Sequence, residues 1–342
     1  MDNRKFNLYN YIIAAVVTAI SAVTYLLTLE SGASFWDCGE FIASSYKLEV
    51  GHPPGNPVFQ LFARIFTLPF SGESAAIAVN ALNGLCSAFT IFFLYLTIIF
   101  FAKRLVTPSK DGSYSKAQAI AIFGAGAVGS LAYAFSDTFW FSAVEGEVYA
   151  MSSLFTAVVF WAILKWEEEA DKPYSGRWIV LISFLMGLSI GVHLLNLLTI
   201  PAIVFIYYYK KHTGHVSFWK GFGILALSGV ILGAILFGVI PYLPQITAVA
   251  DRIFVNGFGA PFNTGAAFFM LLLLAGLFVL MRYLRKKEKA VLHTITLCFT
   301  TFVIGYSLFA ITIIRSTAGT PTNEYQPDNA FTLVRSLSRD QY

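Results

Sequence analysis

The chain has 342 residues, of which 57% are hydrophobic and only 12% charged, with 33 Phe and three Cys. A soluble domain carries about 25% charged residues, so 23 basic and 19 acidic side chains are too few to coat a water-facing surface around this apolar bulk. Disorder, collagen and a disulfide-stapled secreted scaffold are excluded with the soluble fold, and the composition implies an all-α, polytopic helical membrane protein.

A bilayer core of about 30 Å needs about 20 apolar residues of helix. Nine stretches meet or approach that length: 11–29, 76–102, 118–135, 149–165, 178–195, 197–209, 221–243, 266–283 and 291–314. The first is too long for a signal-peptide core, and no small-residue cleavage site follows it. The sixth is short and contains Pro201, as a tilted or broken helix would.

Placing the N-terminus inside puts 17 of the 23 Lys and Arg on inner loops, the asymmetry that sets orientation in membranes. Nine spans then leave the C-terminus outside. The net charge of +4 is thus a loop signal, not a nucleic-acid surface. Twelve of the 19 acids fall on the outer side, so any chemistry is expected there. Cys38, Cys86 and Cys298 show neither metal-ligand nor disulfide spacing and read as small apolar residues.

The first outer loop, residues 30–57, contains Trp36-Asp37-Cys38-Gly39-Glu40-Phe41, a short helical stretch to Leu48, and Gly51-His52-Pro53-Pro54-Gly55-Asn56-Pro57. Asp37 and Glu40 are three apart and share a helix face. Two readings of that spacing stand side by side: a partly desolvated carboxylate pair with raised basicity, or a capping box with Asp37 at the cap and Glu40 three residues on. The two prolines fix the backbone, and His52 is either incidental to a rigid turn or a partner of both acids. Residues 57–70 are too short to span and form an amphipathic interface helix.

The second outer loop, 136–148, runs into Glu145-Gly146-Glu147-Val148-Tyr149. Acids among aromatics at a helix start face either a cavity or hydrated headgroups in an aromatic belt. His193 and Asn196, at the end of the fifth span, read as an interface contact. Arg315, at the outer end of the last span, suits either a lipid phosphate through forked hydrogen bonds or simple snorkelling. No Walker A or HExxH pattern is present, and Gly124-Ala125-Gly126-Ala127-Val128-Gly129 lies inside a span, where small residues serve helix packing. No acid lies near the middle of a span, against an ion-coupled transporter.

A single first span, an acidic outer loop with an interface helix, and many further spans resemble the polyprenyl-phosphate-dependent glycosyltransferases of the GT-C architecture. The D-x-G-E and H-P-P-G motifs, Glu145-Gly146-Glu147-Val148-Tyr149, and Arg315-Ser316 with Pro321 and Asn323-Glu324 resemble the pattern of domain of unknown function 2723, the transmembrane protein 260 family of protein O-mannosyltransferases. The resemblance runs from about Tyr11 to the end and implies one GT-C-like transmembrane domain over 1–342, with loop 30–75 carrying the acidic motif and 315–342 beginning an outer segment. Family members usually continue past the equivalent of Arg339-Asp340-Gln341-Tyr342, so a truncated protein is expected.

By that resemblance, Asp37 is the general base, Glu40 orients the acceptor or shares its proton, and Glu147 or Glu145 contributes from the facing loop. His52 and Arg315 hold the donor phosphate, and Trp36, Tyr149, Asn323 and Glu324 support the acceptor. The implied reaction moves a sugar, mannose by family, from a polyprenyl phosphate to Ser/Thr hydroxyls of exported proteins by inverting displacement. No metal is assigned, although paired carboxylates with a His suit a divalent cation. The partners are the bilayer, the lipid-linked sugar and the exported protein, with no nucleic acid. A bacterial inner membrane with a cytoplasmic N-terminus and periplasmic active face is expected, otherwise the endoplasmic reticulum. Rival readings are another sugar, a lipid or glycan acceptor, or a non-enzymatic carrier or scaffold.

Overall fold

The computed structural model describes residues 1–212 and 214–339, and the expected acid Asp340 and the motif at 340–342 lie outside the described residues. Fifteen α-helices are described: α1 (Asn3–Leu27), α2 (Cys38–Lys47), α3 (Pro57–Thr67), α4 (Ala75–Leu105), α5 (Lys116–Ala134), α6 (Asp137–Val144), α7 (Val148–Glu169), α8 (Gly176–Ser189), α9 (Ile200–Lys211), α10 (Phe218–Ala234), α11 (Ile240–Phe258), α12 (Thr264–Lys286), α13 (Ala290–Tyr306), α14 (Ala310–Thr317) and α15 (Ala330–Ser338). Among the described residues the one isolated β-bridge joins Val50 to Asn323.

All nine expected stretches are helical, but seven helical segments are long and apolar enough to cross a membrane. The two that fall short are α8, 14 residues, and α9, 12 residues. At 1.5 Å per residue α8 is about 21 Å long, less than the hydrocarbon thickness. Their apolar runs are shared with the segment between them, where a 3-10 turn (Leu194–Thr199) leads into Pro201 of α9.

The interior is organised by α4, whose 31 residues pack against α1, α5 and α7. Its Tyr95 and Ile99 fit over Gly126 of α5, where a Cβ would come within 2.7 Å of either side chain. That contact gives the glycine-rich stretch of α5 a packing role, as its position in a span implied. The α8–α13 pair is closer still. A Cβ on Gly187 would lie 2.1 Å from the Phe302 carbonyl oxygen, and one on Gly305 would lie 2.6 Å from the Leu188 nitrogen.

Helices α10 and α11 are joined by a π-helical stretch, Ile235–Val239, into one 41-residue helical segment. Pro241 and Pro244 follow directly. Each lacks an N–H for the helical ladder, and a π-turn with prolines is a recognised way to bend a helix. The segment expected to be outer loop from about 244 is therefore mostly helix. Asp251 on α11 is fully buried. Its Oδ2 accepts from the Asn263 N–H at 3.0 Å, and its Oδ1 from the Gly265 and Ala266 N–H groups at 2.9 and 3.3 Å. A side chain from one helix thus caps the start of the next and satisfies donors that α12 leaves unpaired.

Candidate active site

The site is assembled from three segments. The first is the turn between α2 and α3. Leu48 adopts a left-handed conformation (φ 51°) that ends α2, and Gly55 (φ 81°) turns the chain into α3 after the cis Pro53–Pro54 bond. The turn aims His52 back at α2. Its N–H donates to Glu40 Oε1 at 2.6 Å, its Nδ1 lies 3.0 Å from Glu40 Oε2, and its Nε2 lies 3.8 Å from Asp37 Oδ2. Gly51 is required beside it, since a Cβ there would lie 2.4 Å from Glu40 Oε1.

One imidazole between two carboxylates decides between the readings of Asp37 and Glu40. Asp37 occupies the cap position of α2 but makes no side-chain cap bond, and the Glu40 carboxylate is taken by His52. The capping box does not form. The hydrogen bond to Glu40 raises the His52 pKa above 6.5 against the effect of burial, and the charges of Glu40, Asp37 and Glu324 add to it. Burial pushes Glu40 up, but its bonds from the His52 side chain and backbone outweigh that and hold it below its ordinary value. Ligand atoms of Asp37, Glu40 and His52 all lie within 4.8 Å of one another, an oxygen-and-nitrogen set that a hard or borderline divalent cation accepts.

The second segment is the turn Glu145-Gly146-Glu147 between α6 and α7. Asn83, buried on α4, donates through Nδ2 to the carbonyls of both Glu145 and Glu147 at 2.5 Å each. Asn80, one turn earlier, donates to the Glu30 and Gly32 carbonyls at 2.8 and 3.1 Å, which anchors the start of the first loop beside it. Glu147 caps α7 by accepting from the Val148 N–H at 3.1 Å. Burial pushes its pKa up to about 7, with the nearby Asp37 and Glu145 charges acting in the same direction. Glu145 is buried behind it, accepts from Cys38 Sγ at 3.7 Å, and is also raised by burial. Cys38 is thus a partner of an acid, not only a small apolar residue; burial and the two glutamates push its thiol up to about 12.

The third segment follows α14. The Val50 N–H donates to the Thr322 carbonyl and the Glu324 N–H to the Val50 carbonyl, each at 3.1 Å. Thr322 N–H donates to Glu49 Oε2 at 3.2 Å. Asn323 Nδ2 donates to the Ser316 carbonyl at 3.1 Å. The geometry gives Arg315 a structural role. Its Nε donates to the Leu48 carbonyl at 2.6 Å and a terminal nitrogen to the Lys47 carbonyl at 3.0 Å, so it satisfies the open carbonyls at the end of α2.

The first two segments border a cavity of about 620 Å³, which the third segment backs through its bonds to Val50 and Glu49. Asp37 and Glu147 are the acids of its wall, together with His52, Tyr149, His193 and Arg339. Its body is apolar, from Ile190, Val192, Leu236, Ile240, Phe309 and Leu337 among others. Glu40, Glu145, Arg315, Asn323 and Glu324 are not in that wall; they stand behind the residues that are. Trp36 is 89% exposed with φ 61°, beside the acidic pole rather than in the cavity. His193, read from sequence as an interface contact, faces the cavity edge-on to Tyr149 at 5.4 Å between ring centroids. Burial, and then the Arg339 charge, lower its pKa. Arg339, quoted from sequence only as the start of the stretch 339–342 and given no role there, is placed by α15 packing on α11.

A family model described as "Protein O-mannosyl-transferase TMEM260 N-terminal domain" matches residues 37–216, more than half of the chain. The chain belongs to the TMEM260 N-terminal-domain family. It is 30% identical over 195 residues to a mouse protein named protein O-mannosyl-transferase TMEM260, a match covering 56% of this chain and 25% of that protein. It is 24% identical over 242 residues to a Dictyostelium discoideum protein of the same name, covering 68% of this chain and 27% of that protein. The chain therefore spans about a quarter of the length of the curated relatives it matches. No solved structure matches it. The TMEM260-family region holds Asp37, Glu40, His52, Glu145, Glu147 and His193, whereas Arg315, Glu324 and Arg339 lie beyond it.

Proposed function

We propose that the chain carries the membrane-embedded active site of a glycosyltransferase that moves mannose from a polyprenyl phosphate to a Ser or Thr hydroxyl of a protein. The relatives' names supply mannose and the protein acceptor. The observation that carries the site is the cavity itself, whose lining joins the acids Asp37 and Glu147, the Tyr149–His193 ring pair with the Arg339 charge near it, and an apolar set of helix side chains. That lining suits a ligand with a sugar, a phosphate and a hydrocarbon chain.

In this reading the acceptor hydroxyl enters at the exposed pole beside Trp36. Asp37, held next to the His52 cation, takes the hydroxyl proton as the oxygen attacks the anomeric carbon. The bond from that carbon to the phosphate oxygen breaks, its electron pair leaves with the phosphate, and configuration inverts. Arg339 meets the charge that grows on the phosphate. This role is placed on Arg339 because it lines the cavity and Arg315 does not. Glu147 orients the incoming hydroxyl from the opposite wall, and Glu40 positions His52. A divalent cation, if bound, would sit among Asp37, Glu40 and His52 and supply further positive charge near the phosphate.

Photo-crosslinking tests the donor path. A polyprenyl phosphate–mannose with a photoreactive chain is expected to label Leu236, Ile240 or Phe309, with labelling lost on competition by unlabelled donor. Labelling confined to the lipid-facing side of α12 would refute the assignment.

A further inference from the structure

A second, smaller cavity lies at the opposite, basic end of the bundle, where the start of α1 meets the ends of α4 and α7. Its volume is about 70 Å³, and its polar lining comprises Asn7, Asn10, Tyr11, Lys103, Lys165 and Glu168. None of these residues touches the acidic cavity, and the proposed transfer uses none of them.

Three observations point to a ligand. Asn10 is 9% exposed, and its Oδ1 has no hydrogen-bond partner among the described residues. An amide placed in an apolar helix and left unbonded costs free energy, so the carbonyl calls for a donor from outside the chain. Lys103 has no carboxylate partner among the described residues; its Nζ lies 6.0 Å from the Phe6 ring centroid. Lys165 is already paired with Glu168 at 2.7 Å. Two ammonium groups and one carboxylate leave the cavity with one uncompensated positive charge. Asn10 lies about 10 Å along α1 from its start, at 1.5 Å per residue, close to the boundary between a headgroup region of about 5–8 Å and the hydrocarbon for a helix that begins at the membrane surface.

We infer that this cavity binds the headgroup of an anionic phospholipid that carries a free hydroxyl, as phosphatidylglycerol does. One phosphodiester charge matches the one uncompensated lysine. The headgroup hydroxyl donates to Asn10 Oδ1. A zwitterionic lipid brings no net charge and leaves Lys103 uncompensated, and a choline headgroup has no donor for Asn10. The lipid would tie α1 to α4 and α7 at the end where no outer loop holds them.

Native mass spectrometry of the purified membrane protein tests this, after delipidation and addition of phosphatidylglycerol, phosphatidylethanolamine or phosphatidylcholine, with soluble glycerol phosphate as a separate arm. Phosphatidylglycerol is expected to remain bound at one copy under activation that strips the other two. Lys103→Gln should weaken that retention roughly fivefold, as expected for one basic residue near an anionic headgroup. Asn10→Leu, which keeps an apolar helix surface, should reduce the preference for phosphatidylglycerol over a lipid of equal charge without a hydroxyl. Equal retention of all three lipids, or retention unchanged in Lys103→Gln with both proteins folded, would overturn the proposal. Glycerol phosphate that binds as well as the lipid would overturn its lipid part. The donor crosslinking experiment is read independently, because it reports on the other end of the bundle.

Discussion

At the scale of single residues, the site depends on His52 having a carboxylate on each side. Its hydrogen bond to Glu40 keeps it protonated above its ordinary range, and Glu147, raised to about 7 by burial, shares the cavity wall with Asp37. The pH dependence follows with a definite sign. Below about 7 Glu147 carries its proton and is a weaker, uncharged acceptor for the hydroxyl's hydrogen bond, so transfer rises with pH through that value. It falls again where His52 deprotonates, above 6.5. In Glu147→Gln the rising limb should disappear from the rate–pH profile while the falling limb stays; an unchanged rising limb would remove Glu147 from the reaction. Stability carries the opposite slope. The folded state binds the Glu147 proton more tightly than the unfolded chain does, so stability drops as pH climbs from 4.5 towards 7. Glu147→Gln should flatten that part of a melting-temperature curve.

Arg315 separates structural from donor-binding roles at the same scale. Its two bonds to the carbonyls of Lys47 and Leu48 are charge-assisted, and losing them in Arg315→Ala should lower stability by about 1–2 kcal/mol. Donor KM should remain near its original value. A large rise in KM without a change in melting temperature would return Arg315 to the phosphate. The sequence placed this arginine correctly at the outer end of a helix but could not show that α2 ends beside it, 267 residues away.

At the scale of elements, apolar length found the seven long apolar helical segments among the described residues in order, and it also took the shorter α8 and α9 for spans. It was not enough to show where helices bend or how their ends are satisfied. The span expected to end at 243 instead continues past Pro241 and Pro244, with a π-turn at Ile235–Val239 before them. Asp251 is one of the twelve acids that the sequence assigns to the outer side, whereas it is buried and caps α12 from a neighbouring helix. A cap supplied from another element leaves no local spacing to recognise. Asp251→Ala should cost about 2 kcal/mol, the upper end for a lost helix cap, since three backbone N–H groups lose their acceptor together. Thermal unfolding in detergent measures it, and a loss below a few tenths of a kcal/mol would contradict the cap.

At the scale of the whole molecule, charge asymmetry and the acidic motifs pointed to the end of the bundle that carries the candidate site, and the pairing of Asp37, Glu40 and His52 was legible because all three lie within 16 residues. Arg339 and His193 were not, because they reach the cavity through the packing of α15 on α11 and the turn after α8. The arrangement predicts one topology. Single cysteines introduced at Gly32 and Thr320 should react with an impermeant thiol reagent from one side of sealed vesicles, and those at Asp111 and Glu288 from the other. Labelling of all four from the same side would contradict the bundle's polarity.

The most direct test of the central claim is transfer itself. The purified membrane protein, given labelled polyprenyl-phosphate-mannose and a Ser/Thr peptide, is compared with Asp37→Asn. The account predicts labelled peptide from the unaltered protein and a loss of at least roughly 100-fold in the variant, the lower range for a positioned general base, with the donor still bound. Equal transfer by both proteins, with folding intact, would contradict the assignment of the acidic cavity as the place where the bond is made.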